Sequence, residues 1–311
     1  MNKYVCNEKI FTTENALSFY LLGVFLTDGW IEKSKPNLVG FCSTDFEWIR
    51  DIKNIISLDL PLHTKKTKYK NLYHFEMNNK IIRKWFDKYG FTTNKSLDIQ
   101  FPKIPNEYII SFIRGCWDGD GFISHTSRHK TGGRHNKDIL YHDISCGISS
   151  GSKNFIDEMG ANITRIFDID VNITNKFSEK PDALYIVGRK CIDIHEHFML
   201  RINGTKCYKF VKMLYDGAEI FLERKKIIAD DVINYYNTNN IIPHDKIMWP
   251  KIDLLVAMVN NKGYRAVGRE LNTTDCTVKN HIRSNNKLHL VKSPFVSFGS
   301  KNTQDNISQQ K

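Results

Sequence analysis

The pattern of hydrophobic and polar positions passes twice through the same order of elements. A helical spacing over residues 15–26 runs into Asp28-Gly29, a helix stop, and then into strand-like Trp30-Ile31. A second helical spacing over residues 106–117 runs into Asp120-Gly121 and a strand-like stretch over 122–124. After the first opening, the alternation predicts strands over 38–43, 62–67 and 72–77 and helices over 44–56 and 80–89. After the second, it predicts strands over 141–148, 171–177 and 183–187, a further candidate strand over 198–202, and helices over 152–167 and 207–215.

The two openings also match residue by residue. Leu21-Leu22-Gly23-Val24-Phe25-Leu26-Thr27-Asp28-Gly29 returns in register as Ile113-Arg114-Gly115-Cys116-Trp117-Asp118-Gly119-Asp120-Gly121. Phe75-Glu76-Met77-Asn78-Asn79-Lys80 before one helix echoes Leu200-Arg201-Ile202-Asn203-Gly204-Thr205 before the other. The expected fold class is α+β, with two pseudo-symmetric halves over 1–105 and 106–228 and a basic hairpin loop over 130–138. An Asn-rich stretch then suggests a linker over 229–245, followed by a small all-α unit over 246–292 and a tail over 293–311. In that unit helices over 251–261, 264–271 and 275–285 have helix-turn-helix spacing. Ala266 is expected at the helix crossing, Leu271, Val278 and Ile282 inside, and Asn272 at the turn.

Composition narrows the partners. The chain has 311 residues, with 45 Lys and Arg against 34 Asp and Glu, a formal net charge of +11. An excess of that size favours a polyanion, and nucleic acid leads. From residue 243 onward 11 Lys and Arg face 5 Asp and Glu, the most basic region. Seven scattered cysteines include no C-x-x-C pair and read as reduced thiols. No apolar run is long enough for a membrane span and no signal peptide opens the chain, so a cytoplasmic protein is expected, in a bacterial or phage-infected cell, with an organelle left open.

The repeated motif suggests its own chemistry. Gly23 and Gly115 at matching positions allow two helices to pack backbone against backbone, which would bring Asp28 and Asp120 together at adjacent helix ends. Helix C-termini carry partial negative charge, so two carboxylates there call for a cation, and a hard divalent ion, Mg²⁺ or Mn²⁺, is the natural occupant. Such a site in a basic protein suits phosphodiester hydrolysis.

At these residues the chain resembles the LAGLIDADG homing endonucleases in their single-chain, two-motif form, with a C-terminal helix-turn-helix unit added. The resemblance covers roughly residues 14–228 and extends to Phe91-Thr92-Thr93-Asn94-Lys95-Ser96, Phe101-Pro102 and Ile220-Phe221-Leu222-Glu223-Arg224-Lys225. It implies two αββαββα halves forming a saddle on double-stranded DNA, and a site-specific, metal-dependent endonuclease that acts in intron homing as a monomer. The metal-binding acids would be Asp28 and Asp120, with carbonyl oxygens from Thr27 and Gly119. The basic residues near the scissile phosphates would be Lys95 and Lys225, the second with Lys226, Lys206 and Lys209 as competitors. Asp45 and Ser150 stand where a polar residue orients water. DNA contacts would come from Lys33, Lys35, Lys65, Lys66, Lys68, Arg128, His129 and Lys176, and from Lys279 and Arg283 in the C-terminal unit.

Asp118 aligns with Leu26 and is therefore read as a helix-cap or packing group, not a ligand. An EF-hand over Asp118-Gly119-Asp120-Gly121 fails, because Ile123 and His129 stand where Gly and Glu are required. His125, His129, His135 and His142 lack transition-metal spacing and read as exposed or phosphate-facing. The competing functional class is a cleavage-inactive DNA-binding regulator or an RNA-splicing maturase, with intron RNA as the further partner; both acids being present speaks against loss of cleavage. No nucleophile opens the chain and no His-Asn pair closes it, so self-splicing is not expected and the chain reads as free-standing or intron-encoded.

Overall fold

A computed structural model of the chain describes residues 4–91, 99–130, 139–176, 197–239, 249–271 and 273–291. They form two compact units, Met1–Pro243 and His244–Lys311. The first unit opens with a short helix α1 (Lys9–Thr12) and the long α2 (Ala16–Asp28). It continues through β1 (Gly29–Ile31), β2 (Leu38–Ser43), α3 (Phe46–Ile56), β3 (His63–Lys66), β4 (Asn71–Asn78) and α4 (Lys80–Lys88). The second half repeats the order as α5 (Ile109–Asp120), β5 (Phe122–Lys130), β6 (Ile139–Ser150), α6 (Lys153–Phe167), β7 (Asn172–Lys176), β8 (His197–Asn203) and α7 (Thr205–Tyr215), and closes with α8 (Glu223–Thr238). The two antiparallel sheets have matching strand orders, β1-β2-β4-β3 and β5-β6-β8-β7. The internal repeat is therefore a repeat of topology, and the α+β class holds.

Helices α2 and α5 form the spine. An Asn15 capping box starts α2: Asn15 Oδ1 accepts from the Ser18 amide at 2.9 Å, and Ser18 Oγ accepts from the Asn15 amide at 3.0 Å. Every residue from Ser18 to Leu26 is buried, as is every residue from Ser111 to Asp118, so both helices are covered on all sides. Two glycines let them touch: a Cβ on Gly23 would lie 2.3 Å from the Phe112 carbonyl oxygen, and one on Gly115 would lie 2.1 Å from that of Tyr20. Around this contact, Val39, Phe41, Phe75 and Met77 face inward from one sheet and Ile144, Cys146, Ile148, Leu200 and Ile202 from the other.

Two expectations need correcting and a third is borne out. Residues 229–239 are no linker: α8 runs through them, and Ala229, Val232 and Tyr236 are buried in the main core. The Asn-rich surface of the helix hid an apolar stripe at helical spacing. The candidate strand over 198–202 is a full strand of its sheet, β8, which pairs with both β6 and β7; the stretch over 183–187 lies outside the described residues. The hairpin strands are longer than expected, since β5 reaches Lys130 and β6 starts at Ile139.

The second unit consists of α9 (Ile252–Glu270), bent where Gly263 has φ 80°, and α10 (Asp275–Ser284) with Thr274 as its N-cap. Leu255, Val256, Val259, Val267, Val278 and Ile282 form its core. Gly268, not Ala266, is the small residue at the crossing: a Cβ there would lie 2.9 Å from the Thr273 carbonyl oxygen, whereas Ala266 is half-exposed. Asn272 lies outside the described residues.

Candidate active site and nucleic-acid face

Asp28 and Asp120 are the last residues of α2 and α5. Gly119 brings the two ends together: a Cβ on it would fall 1.9 Å from Thr27 Oγ1 and 3.3 Å from Asp28 Oδ2. The four motif residues Thr27, Asp28, Gly119 and Asp120 thus share one locus. Thr27 donates its hydroxyl proton to the Val24 carbonyl at 2.8 Å. Asp120 is exposed and lines a cleft of about 260 Å³ with Thr27, Ser149, Ser150 and His197. Among the described residues, no three His, Cys, Asp or Glu side chains converge as a metal-binding group. A cation here would have to be held by the two carboxylates together with backbone carbonyls, water and its substrate.

Lys225 sits directly behind this locus. Its Nζ donates to the carbonyl oxygens of Trp117, Asp118 and Gly119 at 2.7, 2.7 and 2.8 Å, so all three protons are used and the C-terminus of α5 is capped by a cation. The residue is 3% exposed. Burial pulls its amine down to about 8, against the attraction of Asp118 and, more weakly, of Asp28 and Asp120. The three competitors stand elsewhere: Lys226 pairs with Asp230 at 2.6 Å, Lys206 with Asp170 at 3.4 Å and Lys209 with Asp168 at 3.7 Å. Lys95 lies outside the described residues. Asp45 is engaged by Arg224, whose Nε lies 3.0 and 3.1 Å from its two oxygens. Ser150, which lines the cleft, accepts the Ser152 amide at 3.1 Å.

Asp118 is fully buried and its oxygens are taken. Tyr20 and Tyr215 donate their hydroxyls at 2.9 and 2.7 Å, and the Leu222 amide donates at 3.0 Å. Burial pushes its carboxyl up to about 6, although these hydrogen bonds and Lys225 favour the anion. The folded carboxyl therefore holds a proton between about pH 4 and 6 that the unfolded chain has released, so stability from this group is present below pH 4 and lost as pH rises to 6. Relative to Asp118→Asn, which does not titrate, the metal-free protein is expected to lose about 3 kcal/mol across that window. Urea unfolding of both proteins at pH 4 and pH 6.5 measures this; a difference that grows with pH contradicts it.

The lysines expected on DNA divide by strand alternation. On the face opposite the core, β1, β2, β4 and β3 carry Trp30, Cys42, His74, Glu76, His63 and Lys65; Lys66 alternates to the other side and is exposed at the edge strand. Lys33, Lys35 and Lys68 are exposed in loops. In the second sheet the corresponding face carries Phe122, Ser124, Thr126 and Arg128 beside Asp143, Ser145 and Arg201. Arg128 lies 5.5 Å above the Tyr141 ring. His129 alternates away from that face, and Lys176 ends β7, where only the backbone is described. Arg201, 5.4 Å above the Phe122 ring, was missed; the alternation of the Phe198-Met199-Leu200-Arg201-Ile202 stretch was the available signal. Lys279 and Arg283 are exposed, one turn apart on α10, on the flank next to buried Val278 and Ile282.

Of the histidine cluster, His125 and His142 are structural, whereas His129 is exposed. His125 Nδ1 is 2.6 Å from Asp231 of α8, its Nε2 is 2.9 Å from His142 Nδ1, and His142 stacks on Tyr235. These contacts fasten α8 to the β5–β6 hairpin, so the expectation that His125 and His142 are exposed fails. His135 lies outside the described residues.

No family model and no curated protein matches the chain. Several solved structures are similar to it at low identity. The meganuclease I-SmaMI, bound to uncleaveable DNA with a TTCT central four, has a TM-score of 0.46 at 11% identity, over 72% of this chain and 93% of its own. The LAGLIDADG homing endonuclease I-LtrWI, bound to target DNA, has a TM-score of 0.44 at 8% identity, over 76% and 94%. Full-length DUF199/WhiA from Thermatoga maritima has a TM-score of 0.37 at 12% identity, over 89% and 93%.

Proposed function

We propose that this chain is a divalent-metal-dependent, site-specific DNA endonuclease of the LAGLIDADG homing type, in which one chain supplies both halves. The observation that carries the reading is the backbone contact of α2 and α5 at Gly23 and Gly115, which sets Asp28 and Asp120 at adjoining helix ends with Gly119 against the Asp28 carboxylate. Two carboxylates at two negative helix termini repel each other, and an all-oxygen donor set completed by the carbonyls of Thr27 and Gly119 suits Mg²⁺ or Mn²⁺. The Gly119 carbonyl gives one lone pair to Lys225 and keeps a second. Such an ion, when bound, supplies the Lewis acid that activates water and stabilises the leaving oxygen.

The chain's own residues do the rest. Lys225 offsets the negative charge of the α5 terminus beside Asp120, easing the approach of a phosphate to an acidic site, and by resemblance Lys95 serves the first half in the same way. Ser150 lines the cleft from which water would reach Asp120. The coreless sheet faces, with Lys65, Arg128 and Arg201, and the loops with Lys33, Lys35 and Lys68, meet the DNA, base edges being read by side chains of alternating strand positions. Lys279 and Arg283 of the C-terminal helical unit extend the contact as a helix-turn-helix would.

The test is incubation of the protein with a randomised double-stranded DNA library in Mg²⁺, Ca²⁺ or EDTA, followed by sequencing of product ends. Cutting at a discrete site in Mg²⁺ and not in EDTA is expected. Binding without cutting in every metal, Mn²⁺ included, would hand the reading to the cleavage-inactive regulator, and selective capture of structured RNA to the maturase.

A further inference from the structure

The second motif places charged residues at two buried positions where the first has leucines. Where the first has Leu22 and Leu26, the second has Arg114 and Asp118, four residues apart and so on one face of α5. Both take part in one network. Trp48 of α3 donates its indole N–H to the Tyr20 hydroxyl at 2.9 Å, and Tyr20 of α2 donates to Asp118. Tyr215 of α7 and the Leu222 amide donate to Asp118 as well, while Arg114 Nη1 donates to the Leu214 carbonyl at 3.1 Å and its guanidinium lies 5.5 Å over the Tyr20 ring.

Leu222 is where this network becomes functional. It is the N-cap of α8 and has no side-chain cap of its own; its carbonyl accepts the amides of Lys225 and Lys226 at 2.9 and 3.1 Å, forming the helix's first turn. Its amide is fixed by Asp118. One turn later Lys225 reaches back to three carbonyls, one of them that of Asp118 itself. The carboxylate therefore fixes the start of the helix that delivers the amine, and the same residue's carbonyl receives it.

We infer that Asp118 is a positioning residue: through the Leu222 amide it holds the first turn of α8 so that the Lys225 amine seats at the end of the second motif helix, beside Asp120. The first motif has Leu26 in its place, which offers no carboxylate to hold a backbone amide. The two cutting centres are then held by different means, and disturbing Asp118 slows one strand more than the other. The strand-specific consequence rests on the endonuclease reading; the seating of Lys225 does not.

The test uses the full chain and three variants: Asp118→Asn, which keeps shape, Asp118→Leu, which restores the residue of the first motif, and Tyr215→Phe, which removes one donor and keeps the carboxylate. The first readout is metal-free: limiting acetylation by acetic anhydride, with lysines mapped by peptide mass spectrometry. Lys225 is expected to be protected in the parent and about fivefold or more reactive in both Asp118 variants, less so in Tyr215→Phe, with Lys206 and Lys226 within about twofold throughout. The second readout is single-turnover cutting of a duplex recovered from the library, each strand labelled separately. One strand is expected to slow by about 10- to 100-fold and the other by less than about threefold, with DNA affinity unchanged. Unchanged Lys225 reactivity in all three variants overturns the inference, and so does equal slowing of both strands, the mark of a purely structural role. If the parent cuts nothing, the endonuclease reading falls while the acetylation result still decides where Lys225 is held and by what.

Discussion

Asp28→Asn and Asp120→Asn are each expected to slow single-turnover DNA cutting by about a thousandfold or more while changing DNA affinity by less than about threefold. The size follows from what the carboxylates do. They are the terminal residues of the two joined motif helices, and a cation held by one charge in place of two loses most of its hold. Affinity is spared because it comes from the basic loops and sheet faces. The same substitutions carry a second expected sign. Each removes a negative charge from a helix C-terminus, so in EDTA each variant should melt about 1–3 °C above the parent, and Mg²⁺ should stabilise the parent alone. Cutting within tenfold of the parent for either variant, or a parent whose melting temperature ignores Mg²⁺, would sink the two-acid site.

That site was legible in the sequence because it is written twice. The in-register match of the Leu21–Gly29 and Ile113–Gly121 stretches fixed both the helix ends and the glycine contact, and each needs only local residues and one symmetric partner. What stayed hidden depends on long-range choices. Four lysines lay within reach of the second centre on paper, and only folding shows that Lys206, Lys209 and Lys226 are drawn to carboxylates of their own. The mismatch with Leu26 sets Asp118 apart as a cap or packing group, yet its partners come from residues near 20, 215 and 222, and no spacing rule joins those. The later part of helix α8 was taken for a linker because Asn234 and Asn237 stand on its exposed side, although Ala229, Val232 and Tyr236 keep the period of a docked helix. The polar positions on the coreless sheet faces were only partly found, since side chains alternate from one residue to the next and place Lys66 and His129 on the opposite face.

The second large effect concerns the spine itself. Gly115→Ala and Gly23→Ala should each destabilise the protein by about 3 kcal/mol or more, although alanine in a helix normally gains about 1 kcal/mol over glycine. The obstacle is backbone. The new methyl at position 115 would stand 2.1 Å from the Tyr20 carbonyl oxygen and 3.0 Å from the Val24 nitrogen, and the one at 23 would stand 2.3 Å from the Phe112 carbonyl oxygen and 2.7 Å from the Cys116 nitrogen. No rotamer change relieves such contacts, so α2 and α5 must part and open a core that is otherwise closed. Gly160 provides the comparison. It is also a buried helical glycine, but the nearest atoms to its Cβ are the side-chain methyls of Ile173, Val171 and Leu200 at 3.0, 3.1 and 3.4 Å, which can shift. Gly160→Ala should therefore stay within about 1 kcal/mol of the parent, the helix-propensity gain offsetting the crowding. Denaturant unfolding of the three variants separates the cases. If Gly115→Ala proves as mild as Gly160→Ala, the helices do not meet at their backbones, and Asp28 and Asp120 lose the geometry that brings them to one cation.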